Sequence, residues 1–148
     1  MNPTKLSLVS FVILVGTVGA LYAEHSLIAR TTVGLVLQGL AIALMVWARV
    51  TFGMRSFHAA ANPTAGGLVC SGPYKFWRHP IYAAVLLLVW AGVLSQGMMP
   101  KVIAVVLAIL ATAMTVVRIV SEEVLLRASM PEYAAYAQRT KRLVPFVF

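Results

Sequence analysis

Four long stretches without a charged residue constrain this chain more than any other feature. They cover residues 6–23, 31–48, 81–99 and 102–117, and Val, Ile, Leu and Ala dominate all four. Each is close to the roughly 20 residues that a helix needs to cross a bilayer core of about 30 Å. In lipid, a single segment satisfies all its backbone groups only as a helix. The pattern predicts an all-α, polytopic integral membrane protein with about four transmembrane helices, the last extending to about 120, and a cytoplasmic interfacial C-terminal helix.

Composition excludes several other classes of protein. Of the 148 residues, 61% are hydrophobic and 11% are charged, and twelve Lys and Arg against four acidic residues give a net charge of +8. Soluble domains are about half apolar and a quarter charged. These values argue against a disordered tail and against a soluble domain that binds nucleic acid. A single cysteine, Cys70, forms no internal disulfide and argues against a secreted disulfide scaffold. The length predicts one domain over residues 1–148.

The basic residues predict how the chain lies in the membrane. If the N-terminus is cytoplasmic, ten of the twelve basic residues fall on the cytoplasmic side, and only Arg30 and Lys101 fall on the other. Such an excess marks the inner side of a membrane protein. We therefore expect both termini, the loop 49–80 and the tail 121–148 to be cytoplasmic, in a bacterial-type inner or plasma membrane. The net charge then indicates orientation and attraction to anionic lipid headgroups.

The first chemically rich segment lies in the loop before the third helix. Gly72-Pro73-Tyr74 is typical of a turn, and Arg78-His79-Pro80 follows directly. Pro80 suits the first position of a helix, because the missing N–H would have no intrahelical partner there. The unpaired N–H groups of that helix start, beside two basic side chains, suit an anionic group of a ligand. A basic interfacial anchor with Tyr74, Phe76 and Trp77 as belt aromatics remains an alternative.

The second segment begins where the fourth helix ends, with Glu122 and Glu123. Adjacent helical residues point about 100° apart, so we expect one of the two to face a shared pocket. The alternative is a pair of surface ion pairs, because Arg118 precedes Glu122 by four residues and Arg127 follows Glu123 by four. Further along, Tyr133 and its neighbours predict an interfacial amphipathic helix.

In order along the chain, the segments LV-x-SGPY-x-x-x-RHP-x-Y, EE-x-x-L and EY-x-x-Y-x-x-R-x-x-R-L-V-P-F resemble the isoprenylcysteine carboxyl methyltransferase family. This family is related to the membrane phospholipid methyltransferases. The resemblance covers roughly residues 47–148, and it implies an all-helical membrane methyltransferase that uses S-adenosylmethionine. The acceptor it implies is an isoprenylcysteine-like carboxylate or another lipophilic or small molecule.

The resemblance also assigns roles to residues. It implies that Glu122 and Arg142 are catalytic, with Arg139 or Arg142 near the mouth of the site. The residues it assigns to the cofactor are Tyr74, Arg78, His79, Pro80, Tyr82, Glu122 and Glu123. Two positions depart from the family pattern: Ala84 stands where the family often has Gly, and Met130-Pro131 where it often has Phe-Gly. The first would narrow the cofactor pocket, and the second would change the direction of the tail.

These residue types suit the chemistry of a methyl transfer. Cations would bind the cofactor carboxylate, acids its ammonium or ribose hydroxyls, and tyrosine rings its sulfonium. The scattered His25, His58 and His79 and the one cysteine predict no metal site. An NADPH-dependent membrane reductase relative and a non-enzymatic small membrane protein are the alternatives. A small proton-coupled exporter is disfavoured because the four stretches carry no acid. The lipid bilayer and the methyl acceptor are the expected partners, and the oligomeric state stays open.

Overall fold

The computed structural model describes residues 2–53, 67–97 and 101–143. These residues form helices and no strands, which confirms the all-α, polytopic membrane class. The elements are α1 (Pro3–Ala23), α2 (Thr32–Phe52), a 3-10 helix (Gly72–Lys75), α3 (Pro80–Leu94), α4 (Val102–Ser129) and α5 (Tyr133–Arg139). Three of them, α1, α2 and α4, are long and apolar enough to cross a membrane, and α3 is a shorter apolar helix of 15 residues.

The helices pack as two pairs, α1 along α4 and α2 along α3. Both partners of the first pair bury small residues, among them Ser7 and Ser10 of α1 and Ala108 and Ala111 of α4. Small side chains let two backbones approach closely, which is how helices associate where no water drives them together. A hydrophobic core joins α1, α3 and α4 near one end of the bundle: Leu21, Val89, Val93, Ala104 and Ala108.

At the same end of the bundle, the buried side-chain amide of Gln38 connects two parts of the chain. The side chain of Gln38 accepts a hydrogen bond from the N–H of Ala29 at 3.0 Å and donates to the carbonyls of Leu27 at 2.7 Å and Leu88 at 3.1 Å. Gln38 thus ties the α1–α2 connection to α3 with its polar groups satisfied. In the same region Gly92 lies so close to the connection that a Cβ there would be 2.0 Å from the Leu27 carbonyl oxygen.

Four glycines of α1 and α2 have different surroundings. A Cβ on Gly34 would lie 2.7 Å from the Cβ of Ser95, so the absence of a side chain there permits a close approach to the end of α3. At Gly16, Gly19 and Gly39 a Cβ would meet nothing within 4 Å. Ser and Ala are among the small residues that the bundle buries.

Candidate active site

The 3-10 helix before α3 docks on the end of α2. Gly72 has φ 55°, and a Cβ on it would lie 2.5 Å from Oγ1 of Thr51. Glycine is favoured at such a position because it adopts positive φ without a steric cost. Tyr74 is buried, with its ring 5.3 Å from that of Phe52. Pro80 is the first residue of α3, as the sequence predicts, so the turn delivers the two preceding side chains to the helix start.

The tail pairs through its main chain with residues 76–79, the motif that precedes α3. The N–H of Arg78 donates to the carbonyl of Lys141 at 2.7 Å, and the N–H of His79 donates to that of Arg142 at 3.1 Å. In return the N–H of Lys141 donates to the carbonyl of Phe76 at 3.1 Å. Hydrogen bonds between extended backbones fix the register of both segments. The pairing places Arg142 beside the motif although the two lie far apart in the sequence.

The tail and the motif bring charged side chains together in one cluster: Arg78, His79, Glu122, Glu123 and Arg142. Glu123 lies at the centre of this cluster. Its carboxylate lies 2.9 Å from Nε of Arg78 and 3.0 Å from Nη2 of Arg142, and 3.9 Å from Nη2 of Arg127. Nε2 of His79 lies 3.6 Å from Oε1, which is too long for a hydrogen bond. Only 4% of the Glu123 side chain is exposed, so these cations compensate the loss of its hydration. The hydrogen bonds to Glu123 in turn raise the pKa of Arg142.

Glu122 forms a second, connected group. The hydroxyl of Tyr82 donates to Oε1 of Glu122, and Nε of Arg118 donates to the same hydroxyl. Nδ1 of His79 lies 3.7 Å from Oε2 of Glu122. Both glutamates therefore lie within 4 Å of one imidazole, with one ring nitrogen of His79 toward each carboxylate.

Arg118 belongs to this group, although the sequence predicted for it only a surface ion pair and no place in the site. Only 4% of it is exposed. Nη1 donates to the carbonyl of Ser7 in α1 at 3.1 Å, and the guanidinium carbon lies 4.8 Å above the ring centroid of Phe11. The expected ion pair with Glu122 is present at 3.3 Å, but it is buried and not a surface pair. The apolar residues around Arg118 in α4 are the signal that favoured burial.

Within residues 2–53, 67–97 and 101–143, several buried polar atoms have no hydrogen-bond partner. They are Ser7 Oγ, Trp77 Nε1, His79 Nε2 and the hydroxyl of Tyr133. Buried polar groups are nearly always paired, so each such atom requires an explanation. Three of the four belong to the motif and the tail.

The remaining expected site residues take other places. Arg139 is exposed, and its Nε lies 3.4 Å from the carbonyl of Ala135 within α5. Ala84 is buried in α3. Met130 follows the end of α4, and α5 begins at Tyr133, so the chain turns at the Met130-Pro131 departure. The hydroxyl of Tyr136 donates to the carbonyl of Tyr74 at 2.7 Å, which holds α5 on the turn before the motif.

Comparison with known proteins adds the family to this geometry. The model of the isoprenylcysteine carboxyl methyltransferase (ICMT) family matches residues 32–128, which include the motif and both glutamates but not Arg142. The chain is also similar to the cobalt-zinc-cadmium resistance protein CzcN of Cupriavidus metallidurans, with 41% identity over 80 residues. That match covers 53% of this chain and 35% of the relative, so it spans about a third of the relative's length. No solved structure matches. Because the family model covers more than half of the chain, this protein belongs to the isoprenylcysteine carboxyl methyltransferase family.

Proposed function

We propose that this protein is an integral membrane methyltransferase that uses S-adenosylmethionine and modifies a lipophilic or small acceptor. One observation carries the proposal. Arg78, His79, Glu122, Glu123 and Arg142 come from three separate parts of the chain and meet in one cluster of opposite charges. Membership of the family supports the reaction type, and the described residues supply groups that suit the cofactor.

The cluster fits the polar parts of S-adenosylmethionine. The cofactor carries a carboxylate, an ammonium and two ribose hydroxyls beside its sulfonium. Arg142, at 33% side-chain exposure, is an accessible cation for the carboxylate, and Glu122, at 19%, is an accessible acid for the ammonium or a hydroxyl. The ring of Tyr82, whose hydroxyl donates to Glu122, would offer its π-electrons to the sulfonium.

When bound, the cofactor supplies a methyl group on sulfur that a nucleophile displaces in line. Such a reaction depends on orientation and on the exclusion of water. In this proposal Arg78, His79 and Arg142 hold the cofactor, and Glu122 contacts both the cofactor and the acceptor. A carboxylate acceptor is ionised at neutral pH and needs no base, whereas a thiol or an ammonium must lose a proton. Oε2 of Glu122, 3.7 Å from His79, is the oxygen that would accept such a proton.

The arrangement in the membrane supports a lipophilic acceptor. The cluster lies at the polar end of α4, and the remainder of α4 and the whole of α1 and α2 are apolar enough to contact lipid. We propose that this end faces the cytoplasm, because ten of the twelve basic residues fall on that side of the predicted topology. A water-soluble cofactor would then enter from the cytoplasm and the acceptor from the bilayer.

Binding and transfer test the proposal together. The protein in lipid nanodiscs is titrated with S-adenosylhomocysteine by calorimetry, and methyl transfer from radiolabelled S-adenosylmethionine is measured with lipid and thiol extracts. We expect binding, transfer, and loss of both in Arg78→Ala and Glu122→Gln. Arg30→Gln, which removes an exposed charge far from the cluster, is the matched control and should bind as the wild type does.

Two outcomes would contradict the proposal. The first is a wild-type protein that shows neither binding nor transfer, and the second is undiminished binding by both cluster variants. A thermal shift with NADPH and none with S-adenosylmethionine would favour the reductase alternative instead.

A further inference from the structure

The hydroxyl of Tyr82 lies between a cation and a carboxylate, and this fixes its direction. Nε of Arg118 donates a hydrogen bond to the hydroxyl oxygen, and the hydroxyl donates to Oε1 of Glu122. A phenolic hydroxyl carries one proton, and a guanidinium has no acceptor. Of these two partners, only Glu122 can therefore receive the proton of Tyr82. With Arg118 on its oxygen, the hydroxyl acts as a donor to Glu122 and has no second proton for a ligand.

The two oxygens of Glu122 differ as a result. Oε1 accepts from Tyr82 and lies 3.3 Å from Nε of Arg118. Oε2 lies 3.7 Å from Nδ1 of His79, which is too long for a hydrogen bond, and it accepts none from the residues that the structure describes. The side chain is 19% exposed, so a ligand can reach it. The carboxylate thus has one oxygen occupied by the protein and one with capacity for a ligand.

Arg118 is itself held from the side of α1. Its Nη1 donates to the carbonyl of Ser7 at 3.1 Å, and its guanidinium carbon lies 4.8 Å above the ring centroid of Phe11. Only 5% of its side chain is exposed. A guanidinium is planar and its N–H groups have a fixed geometry, so contacts at one edge determine where the other donors point. The contacts with α1 therefore set the direction from which Arg118 reaches Tyr82.

We infer that Arg118 is a positioning residue, which fixes the Tyr82 hydroxyl as a donor to Oε1 of Glu122 and so leaves Oε2 to meet the cofactor or the acceptor. The inference rests on the proposed function and adds α1 to the parts of the chain that shape the site. The α1 residues that contact Arg118 lie outside residues 32–128 that match the family model. In this arrangement Arg118 acts on the ligand through Tyr82 and Glu122.

A double-mutant cycle on ligand binding tests this role. S-adenosylhomocysteine is titrated by calorimetry into the wild type, Tyr82→Phe, Arg118→Met and the double variant, all as full chains in nanodiscs and at a temperature at which each is folded. Tyr82→Phe keeps the aromatic ring and removes only the hydroxyl. We expect each single substitution to weaken binding about tenfold, the loss typical of one hydrogen bond to a charged group. The double variant should bind about as weakly as the single variants, because Arg118 acts through that hydroxyl.

Two further variants separate positioning from stability. Arg118→Lys keeps the charge but loses the planar set of donors, so it should lose affinity as Arg118→Met does, and it takes the place of that variant in the cycle if Arg118→Met does not fold. Thr112→Val is the matched control. Trp90 Nε1 donates to Thr112 Oγ1 at 3.0 Å, which is another polar contact between α3 and α4, about 15 Å along the helix from Glu122. This variant should have a lower melting temperature and unchanged affinity for S-adenosylhomocysteine.

Three results would overturn the inference. They are wild-type affinity in folded variants of Arg118, losses that multiply to about a hundredfold in the double variant, and a loss of affinity in Thr112→Val as large as that in Arg118→Met. Failure of the wild type to bind S-adenosylhomocysteine would instead overturn the proposed function and this inference with it.

Discussion

The guanidinium of Arg118 donates a hydrogen bond to the hydroxyl of Tyr82, which itself donates to Glu122. The same guanidinium reaches the carbonyl of Ser7 in α1. One buried cation therefore joins α1, α3 and α4 at the end of the bundle that holds the cluster. A charge in so apolar a position is stabilised only as long as its partners remain.

Two pairs of Arg and Glu in α4 have the same spacing and different burial, which makes them a matched test. We expect Arg118→Met to lower the free energy of unfolding by about 3 kcal/mol, because Glu122 loses a buried partner. Arg127 is 54% exposed and lies 3.9 Å from Glu123, so Arg127→Met should change it by about 0–1 kcal/mol. Denaturant unfolding in detergent, followed by tryptophan fluorescence, measures both. Equal effects of the two substitutions would contradict the role of Arg118.

The pairing between tail and motif depends on the backbone and can be tested at Lys141. Its N–H donates to the carbonyl of Phe76, whereas its side chain is exposed. Lys141→Pro removes the donor, so we expect a loss of about 1–3 kcal/mol in stability and weaker binding of S-adenosylhomocysteine. Lys141→Ala keeps the N–H and should behave as the wild type in both measurements. If the alanine variant were as impaired as the proline variant, the side chain and not the backbone would matter.

Gly92 tests the close approach of α3 to the α1–α2 connection. A Cβ at this position would lie 2.0 Å from the Leu27 carbonyl oxygen and 2.6 Å from its carbon. We expect Gly92→Ala to destabilise the protein by about 1–3 kcal/mol through forced backbone shifts. Gly39→Ala, in α2, meets nothing within 4 Å and should be neutral or slightly stabilising. Thermal unfolding of the two variants in detergent is the measurement, and a stable Gly92→Ala protein would refute the close approach.

The single cysteine reports on orientation. Cys70 is exposed and lies in the loop that we propose to be cytoplasmic. A membrane-impermeant maleimide should label it in inside-out vesicles and leave it unlabelled in intact spheroplasts. In a Cys70→Ser background, Arg30→Cys should show the opposite pattern, because Arg30 belongs to the other side of the predicted topology. The reverse result in either variant would invert the orientation.

The apolar stretches predicted the helices well, because lipid leaves a backbone few other ways to satisfy its polar groups. The ends of α3 and α4 differ from the prediction. The charge-free stretch continues to residue 99, but α3 ends at Leu94, and α4 extends to Ser129. At the end of α3 the N–H and the hydroxyl of Ser95 both donate to the carbonyl of Gly92, and the hydroxyl accepts from the N–H of Arg30. This boundary thus includes a polar contact with a distant loop, which a hydrophobicity pattern does not contain.

The residue types of the cluster could also be predicted, but not how they connect. Sequence order indicated that Arg78 and Glu123 belong to related motifs. It did not indicate that the backbones of Trp77 and Lys141 would form a β-bridge. Such pairing uses only main-chain atoms, so side-chain identities leave no trace of it. The spacing of Arg118 and Glu122 did not indicate the burial of Arg118 either, because spacing alone does not distinguish a surface ion pair from an internal one.

The hydrogen bonds between Arg78 and the tail also affect the order in which the site assembles during synthesis. Arg78 donates from its side chain to the carbonyl of Thr140, which lies 62 residues later in the chain. At synthesis rates of about 5–20 residues per second, Arg78 leaves the ribosome about 3–12 s before that partner. The helix that follows Arg78 therefore meets the membrane while the cluster is incomplete, and the site closes only after Thr140 has been made.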